Sequence, residues 1–186
     1  ESYAIDLPTT PEGYHGTERE RMLETYASGI RIDAPYVCEL TDVDLVGPDA
    51  VSIKDQGYIF ENSLESTGRL TMSCLRAVGE GTPPVQSSWL RPDHEFDTVI
   101  SLVGPWAGNY THWFQDYLTR LEGLEYYRSE AGVDPAVLIP GEASGWMRDA
   151  LRAVGYGPDR WIEWDGGRAH VGRLIVSSVR REARER

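Results

Sequence analysis

The two side chains best suited to chemistry in this sequence are His112 and Asp116, which lie four residues apart. On a helix, side chains at this spacing share a face and can meet. An imidazole, which titrates near neutral pH, can take a proton from an attacking hydroxyl. A carboxylate on its other nitrogen fixes the tautomer and stabilises the imidazolium that forms. The pair therefore predicts a general base, although a structural ion pair on an ordinary helix has the same spacing.

Both residues belong to a helix predicted from about residue 109 to residue 129. At about 100° per residue, its apolar side chains form one broad arc: Trp113, Phe114, Tyr117, Leu121 and Leu124. The adjoining arc carries Asn109, His112, Asp116 and Arg120, so Arg120 can meet Asp116 as His112 does. The helix follows a buried strand, where ligands of open α/β sheets gather, and its first amides carry partial positive charge.

The second half of the chain alternates strands with helices. Apolar runs predict four strands: residues 98–103, 136–139, 161–164 and 174–176. A second helix is predicted over 145–154, with Ser144 as its N-cap and Gly155 in the left-handed conformation after its end. Strands that alternate with helices imply β-α-β units, so we predict an α/β fold with a parallel sheet.

The first half of the chain predicts a short helix and an antiparallel meander. Residues 17–20 have the form of a capping box, which predicts a helix over 19–27. Alternating runs with turns between them predict four further strands: residues 36–40, 43–46, 50–53 and 58–60. Residues 79–92 are rich in Gly, Pro and Ser, as is typical of a linker. We therefore predict two domains, 1–92 and 93–186.

The composition limits the partners that the protein can have. Thirty acidic and 18 basic residues give a net charge of −12. Nucleic acid is therefore not an expected partner, because phosphate binding requires clustered Lys and Arg. No run approaches the roughly 20 apolar residues of a membrane span. An acidic surface with Lys54 as the only lysine suits a halophilic, cytoplasmic protein, free or peripheral to a membrane. Cys38 and Cys74 lack metal-ligand spacing and are predicted to be buried thiols.

Residues 108–116 resemble the signature of a known enzyme family. They read Gly-Asn-Tyr-Thr-His-Trp-Phe-Gln-Asp, which is similar to the N-Y-x-H-W-x-x-D motif of glycosyltransferase family 61. That family includes capsular-polysaccharide enzymes, plant xylosyl- and arabinosyltransferases, and animal O-linked N-acetylglucosaminyltransferases. The resemblance extends over roughly residues 36–178. It implies a two-lobed type-B glycosyltransferase fold (GT-B) and an inverting transfer from a nucleotide-sugar to a hydroxyl of a glycan or polysaccharide acceptor.

The resemblance also assigns roles. Asn109, His112 and Asp116 match the motif, so His112 is the expected base and Asp116 its orienting partner, or the reverse. The chain is then the Rossmann-like acceptor half. A missing C-terminal donor lobe or a partner subunit would hold most of the nucleotide-sugar. No cofactor is expected in this half, and the need for a divalent metal stays open.

Further substrate-binding residues are expected around the pair. Asn109 and Arg120 are assigned to the acceptor or to a phosphate oxygen, and the other candidates are Gly108, Tyr110 and Trp113. Aromatic rings here could stack on a sugar or belong to the core. The alternative function is a non-catalytic module, which binds glycan or pairs with a separate donor-lobe subunit.

Three weaker motifs are also present. The loop 104–108 could cradle a phosphate, but one glycine-bearing loop is weak support. Asp42 and Asp44 form a D-x-D, and their alternation with apolar residues is typical of a half-exposed strand, so no metal site is predicted. Residues 141–145 lack the spacing of a hydrolase nucleophile elbow.

Overall fold

The computed structural model describes residues 34–55 and 93–178, and the backbone of residues 3–5, 30–32 and 57–58. The chain divides into two compact units, Tyr36–Val179 and Glu1–Pro35 with Arg180–Arg186. In the second of these, strands β1 (Tyr3–Ile5) and β2 (Ile30–Ile32) pair antiparallel. The predicted helix at 19–27, the linker at 79–92, and Cys74 lie outside the described residues.

The described part of the larger unit, 36–179, consists of one sheet with helices. Its strands are, in chain order, β3 (Val37–Val46), β4 (Val51–Lys54), β5 (Gly57–Tyr58), β6 (His94–Ser101), β7 (Ala136–Pro140), β8 (Trp161–Trp164) and β9 (Arg168–Ser177). Its helical segments are α1 (Tyr110–His112), a π-helical turn (Trp113–Tyr117), α2 (Arg120–Ala131), α3 (Gly145–Ala153) and a 3-10 turn (Pro158–Arg160).

The sheet is mixed, and its strands follow the order β5-β4-β3-β9-β6-β7-β8. The four strands β9, β6, β7 and β8 are parallel to one another, while β3 pairs antiparallel with both β9 and β4, and β4 pairs antiparallel with β5. The predicted α/β class, the parallel strands and the antiparallel meander are therefore confirmed. The meander and the parallel strands belong to a single sheet. The domain boundary predicted at residue 92 stays a prediction.

Three adjacent strands share a break in their pairing. The ladder skips Asp42 on β3, Gly172 on β9 and Asp97 on β6, which lie side by side across the sheet. Asp42 has a φ of 54°, and a Cβ on Gly172 would lie 3.0 Å from the carbonyl oxygen of Asp97. The side-chain alternation reverses here, because Val171 and Leu174 enter the same core cluster although they are three residues apart. The break explains why the sequence predicts two strands where β3 is one.

The core consists of two clusters that take alternate residues of the central strands. Val99 belongs to one cluster and Ile100, the next residue, to the other. The cluster that contains Ile100 also takes side chains from the helical segments: Trp113, Tyr117, Leu121, Leu124, Met147 and Leu151. Burial of these apolar side chains fixes the helical segments against the sheet.

Some local predictions are corrected. Ser144 precedes α3 as predicted, but its hydroxyl makes no capping bond and is buried without a hydrogen-bond partner. The amides of Met147 and Arg148 bond instead to the carbonyl oxygen of Ser144. Gly155 is left-handed as predicted, with a φ of 91°.

Cys38 is exposed on β3, so the prediction of burial is wrong for this thiol. None of the described helices has the length and apolar character to cross a membrane.

Gly141→Ala should destabilise the protein, because a Cβ at this position would overlap the backbone carbonyl oxygen of Trp164 in β8. Backbone cannot move aside cheaply, and overpacking of this kind costs about 1–3 kcal/mol. We expect a lower free energy of unfolding in urea. Gly145→Ala is the matched control, because its Cβ would meet nothing within 4 Å. Equal stability of the two variants would contradict the packing described for Gly141.

Candidate functional site

The helical region that carries the predicted pair begins at Asn109. The side-chain oxygen of Asn109 accepts hydrogen bonds from the backbone N–H groups of Thr111 and His112, at 3.0 and 3.3 Å. Asn109 is therefore the N-cap of α1. Its carbonyl accepts the N–H of Trp113 at 2.8 Å. The N–H groups of Thr111, His112 and Trp113 thus all bond to Asn109.

The helix is not α-helical throughout, which corrects the prediction of a regular helix over 109–129. From Trp113 to Tyr117 it is a π-helical turn, closed by the bond from Leu118 N–H to the Trp113 carbonyl at 2.8 Å. The wider turn places both Asp116 and Tyr117 in the interior, with exposures of 1 % and 0 %. Phe114, predicted on the apolar arc, is instead 37 % exposed. Turns of this type are frequent at functional sites.

His112 and Asp116 meet as predicted. The distance between His112 Nδ1 and Asp116 Oδ2 is 2.7 Å. The Asp116 side chain is 1 % exposed and the His112 side chain 34 % exposed, so the carboxylate lies beneath an imidazole that reaches solvent. An ionised carboxylate can only accept, so ionisation of Asp116 places the hydrogen on Nδ1 and leaves Nε2 as the basic nitrogen. The geometry is that of a base whose ring is oriented by a buried acid.

Arg120 is buried below this pair, with an exposure of 1 %. Its Nη1 donates to the carbonyl oxygen of Ser101, the last residue of β6, at 2.7 Å. Its Nε donates to the backbone oxygen of Asp116 at 3.2 Å. Arg120 therefore ties the π-helical turn to the carboxyl end of β6. Its burial gives it a structural position below Asp116, whereas the sequence assigned it to substrate.

The loop between β6 and α1 is held by Tyr117. The Tyr117 hydroxyl accepts the backbone N–H of Trp106 at 3.2 Å, and a Cβ on Gly104 would lie 2.6 Å from that same oxygen. The indole of Trp106 stacks on the imidazole of His112 with ring centroids 5.4 Å apart. The amides of Trp106, Ala107 and Asn109 all bond within the chain, which gives no support to a phosphate cradle at 104–108.

Two other histidines also contact aspartates. His94 Nε2 lies 2.6 Å from Asp165 Oδ2, and His170 Nδ1 lies 3.4 Å from Asp44 Oδ1. The hydrogen bond from His94 lowers the pKa of the Asp165 carboxyl, with help from a backbone N–H. Asp165 is 56 % exposed, and exposed ion pairs contribute little to stability. The His112–Asp116 pair therefore differs from these two surface contacts, because its carboxylate is buried.

The other predicted site residues differ in exposure. Trp113 is fully buried in the core, so its ring packs against the sheet and offers no surface to a ligand. Tyr110 is 64 % exposed, and the centroid of its ring lies 4.8 Å from that of Phe114 and 5.2 Å from that of Trp146. Gly108 is exposed, and a Cβ there would meet nothing within 4 Å. The sequence did not single out Trp146, because α3 approaches α1 only in the folded chain.

Among residues 34–55 and 93–178, no three His, Cys, Asp or Glu side chains are grouped to hold a metal ion. Asp42 and Asp44 both lie near His170, at 3.9 and 3.4 Å, and Asp44 also binds Arg168 at 2.6 Å. These carboxylates therefore take part in cross-strand ion pairs. Their contacts support the interpretation of the D-x-D as half-exposed strand residues.

A hollow of about 210 Å³ lies beside α2. Its lining comes from α2, the two residues before it and residues that follow α3: Leu118, Thr119, Leu121, Glu122, Glu125, Val154 and Tyr156. The Tyr156 hydroxyl donates to Glu125, and this bond, with Arg128, lowers the pKa of that carboxyl. The hollow includes none of the predicted site residues.

The pH dependence of stability should report the environment of Tyr117. Burial raises the pKa of its phenol from 10.0 to about 12, against the effects of the Trp106 hydrogen bond and the Arg120 charge. The folded chain then binds the proton more tightly than the unfolded chain. The protonated phenol therefore contributes about 3 kcal/mol to the free energy of unfolding below pH 10. This contribution is lost as the pH rises from 10 to 12.

Urea unfolding of the native protein and of Tyr117→Phe at several pH values measures this effect. The unfolding free energy of the native protein should fall relative to that of Tyr117→Phe, by about 3 kcal/mol, as pH rises from 10 to 12. Parallel curves for the two proteins would contradict the burial of this phenol.

Comparison with known proteins gives no further assignment: no protein-family model, no curated protein and no solved structure matches this chain.

Proposed function

We propose that this chain is the acceptor-side half of an inverting glycosyltransferase that uses a nucleotide-sugar. The observation that carries the proposal is the 2.7 Å contact between His112 Nδ1 and the buried Asp116 carboxylate, within a segment that resembles the family 61 motif. The charge of −12 suits a neutral hydroxylated acceptor better than a polyanion.

In the proposed reaction, Nε2 of His112 takes the proton from an acceptor hydroxyl. The acceptor oxygen then bonds to the anomeric carbon of the donor, the bond from that carbon to the phosphate oxygen breaks, and the nucleoside diphosphate leaves. Asp116 stabilises the imidazolium that forms at His112. The burial of Asp116 beneath His112 supports this assignment over the reverse one, because the imidazole is the outer group of the pair.

The sheet supports the Rossmann-like part of the proposal. The order β8-β7-β6-β9 corresponds to the order 3-2-1-4 of dinucleotide-binding folds, whose ligands bind where the strand order reverses. That point lies between β6 and β9, and Ser101 ends β6 beside the helix that carries His112. The connection from β8 to β9 is unusual, since residues 165–167 contain no helix.

The donor side belongs to the same proposal. The resemblance to family 61 implies that a C-terminal donor lobe or a partner subunit binds most of the nucleotide-sugar, with any metal. We propose a cytoplasmic location, where nucleotide-sugars are available, free or peripheral to a membrane.

One observation favours a second candidate function, a non-catalytic glycan-binding module. The exposed rings of Tyr110 and Phe114 lie beside the half-buried ring of Trp146, with centroids 4.8 to 6.3 Å apart. Exposed aromatic faces can pack on the C–H face of a sugar ring. A complete protein that binds oligosaccharide through these rings and transfers no sugar would favour this function.

The transfer reaction should depend on both members of the pair. In the complete gene product, assayed with a panel of nucleotide-sugars and glycan acceptors, His112→Ala and Asp116→Ala should each lower kcat/KM by about 10²–10⁴-fold, the usual contribution of general-base catalysis. Thermal unfolding checks that both variants fold.

The matched control for this experiment is His94→Ala, which removes a histidine from the other short His–Asp contact, at the start of β6. We expect its transfer rate to equal that of the native protein. Undiminished transfer by the His112 and Asp116 variants would remove the proposed catalytic role.

A further inference from the structure

The indole of Trp106 covers one face of the His112 imidazole. The ring centroids lie 5.4 Å apart and the ring planes differ by 30°. The hydrogen bond to Asp116 constrains one edge of the imidazole, at Nδ1. A torsion of this type is broad by itself, so a second contact is needed to fix the plane of the ring. We propose that Trp106 supplies that contact and is a positioning residue for His112.

Trp106 is held by the same helical region that carries His112. Its backbone N–H donates to the Tyr117 hydroxyl at 3.2 Å, and its carbonyl accepts the N–H of Asn109 at 2.9 Å. The absence of a side chain at Gly104 lets the loop approach that hydroxyl. The backbone bonds of Trp106 therefore fix the loop that carries the indole against the helical region that carries the imidazole.

The stack also matches the proposed chemistry. When His112 takes a proton, its ring becomes a cation that faces the π system of Trp106, and such a contact is favourable. The indole thus supports both the orientation of the neutral base and the charge that forms on it. A tryptophan that only filled space would affect stability without affecting the state of His112.

Two measurements test the inference. The first does not depend on the proposed function, and the second, a kinetic measurement, does. The first is the NMR spectrum of the imidazole of His112, in protein labelled at histidine. The second is kcat and KM for sugar transfer by the complete gene product. The variants are Trp106→Ala, Trp106→Phe and Tyr117→Phe, which removes the acceptor of the Trp106 N–H. Trp161→Ala is the matched control, since this half-buried tryptophan packs on the same core cluster from β8.

In Trp106→Ala, the His112 ring signals should broaden, beyond the shift that loss of the indole ring current causes by itself, and kcat should fall by about 10²-fold at an unchanged KM, as expected for a misplaced reacting group. Trp106→Phe should restore most of kcat, and Tyr117→Phe should move the same signals by a smaller amount. Trp161→Ala should lower stability and leave the His112 signals in place. Broadening of the signals in a protein that transfers no sugar would keep the positioning role and refute the proposed function. His112 signals that are equally sharp in Trp106→Ala and Trp161→Ala would overturn the inference.

Discussion

The candidate site depends on one hydrogen bond, from the N–H of Leu118 to the carbonyl of Trp113, which spans five residues instead of four. The wider turn brings two consecutive residues, Asp116 and Tyr117, into the interior. Asp116 then binds the imidazole of His112 from below, and Tyr117 holds the loop that places an indole over the same ring.

Two charged side chains, Asp116 and Arg120, are buried at this turn. Burial of charge is costly unless each group is hydrogen-bonded, and an apolar pair of similar volume often stabilises a fold as well or better. Arg120 offsets its cost by donating to Ser101 and to the backbone of Asp116. These bonds fix the carboxylate relative to the end of β6. We interpret the retained charges as a means of placing the His112 ring, beyond any stability that they add.

The sequence predicted what depends on local pattern and missed what depends on contacts between distant segments. The spacing of His112 and Asp116 was sufficient to predict their contact. Periodicity could not predict the π-helical turn, so it placed Phe114 on the buried apolar arc, although its side chain is 37 % exposed. It also divided β3 at Asp42, because the break there is shared with strands far away in the sequence. The stacking of Trp106 on His112 requires the folded loop.

The most direct test of the account is the tautomer of His112, measured by ¹⁵N NMR at a pH where its ring is neutral. A buried carboxylate that accepts from Nδ1 predicts that the hydrogen resides on Nδ1 and that Nε2 carries the lone pair. Replacement of Asp116 by Ala should release this preference. The arrangement on which the proposed base depends would be contradicted by a neutral ring with its hydrogen on Nε2. It would also be contradicted by a His112 spectrum that is the same in Asp116→Ala as in the native protein.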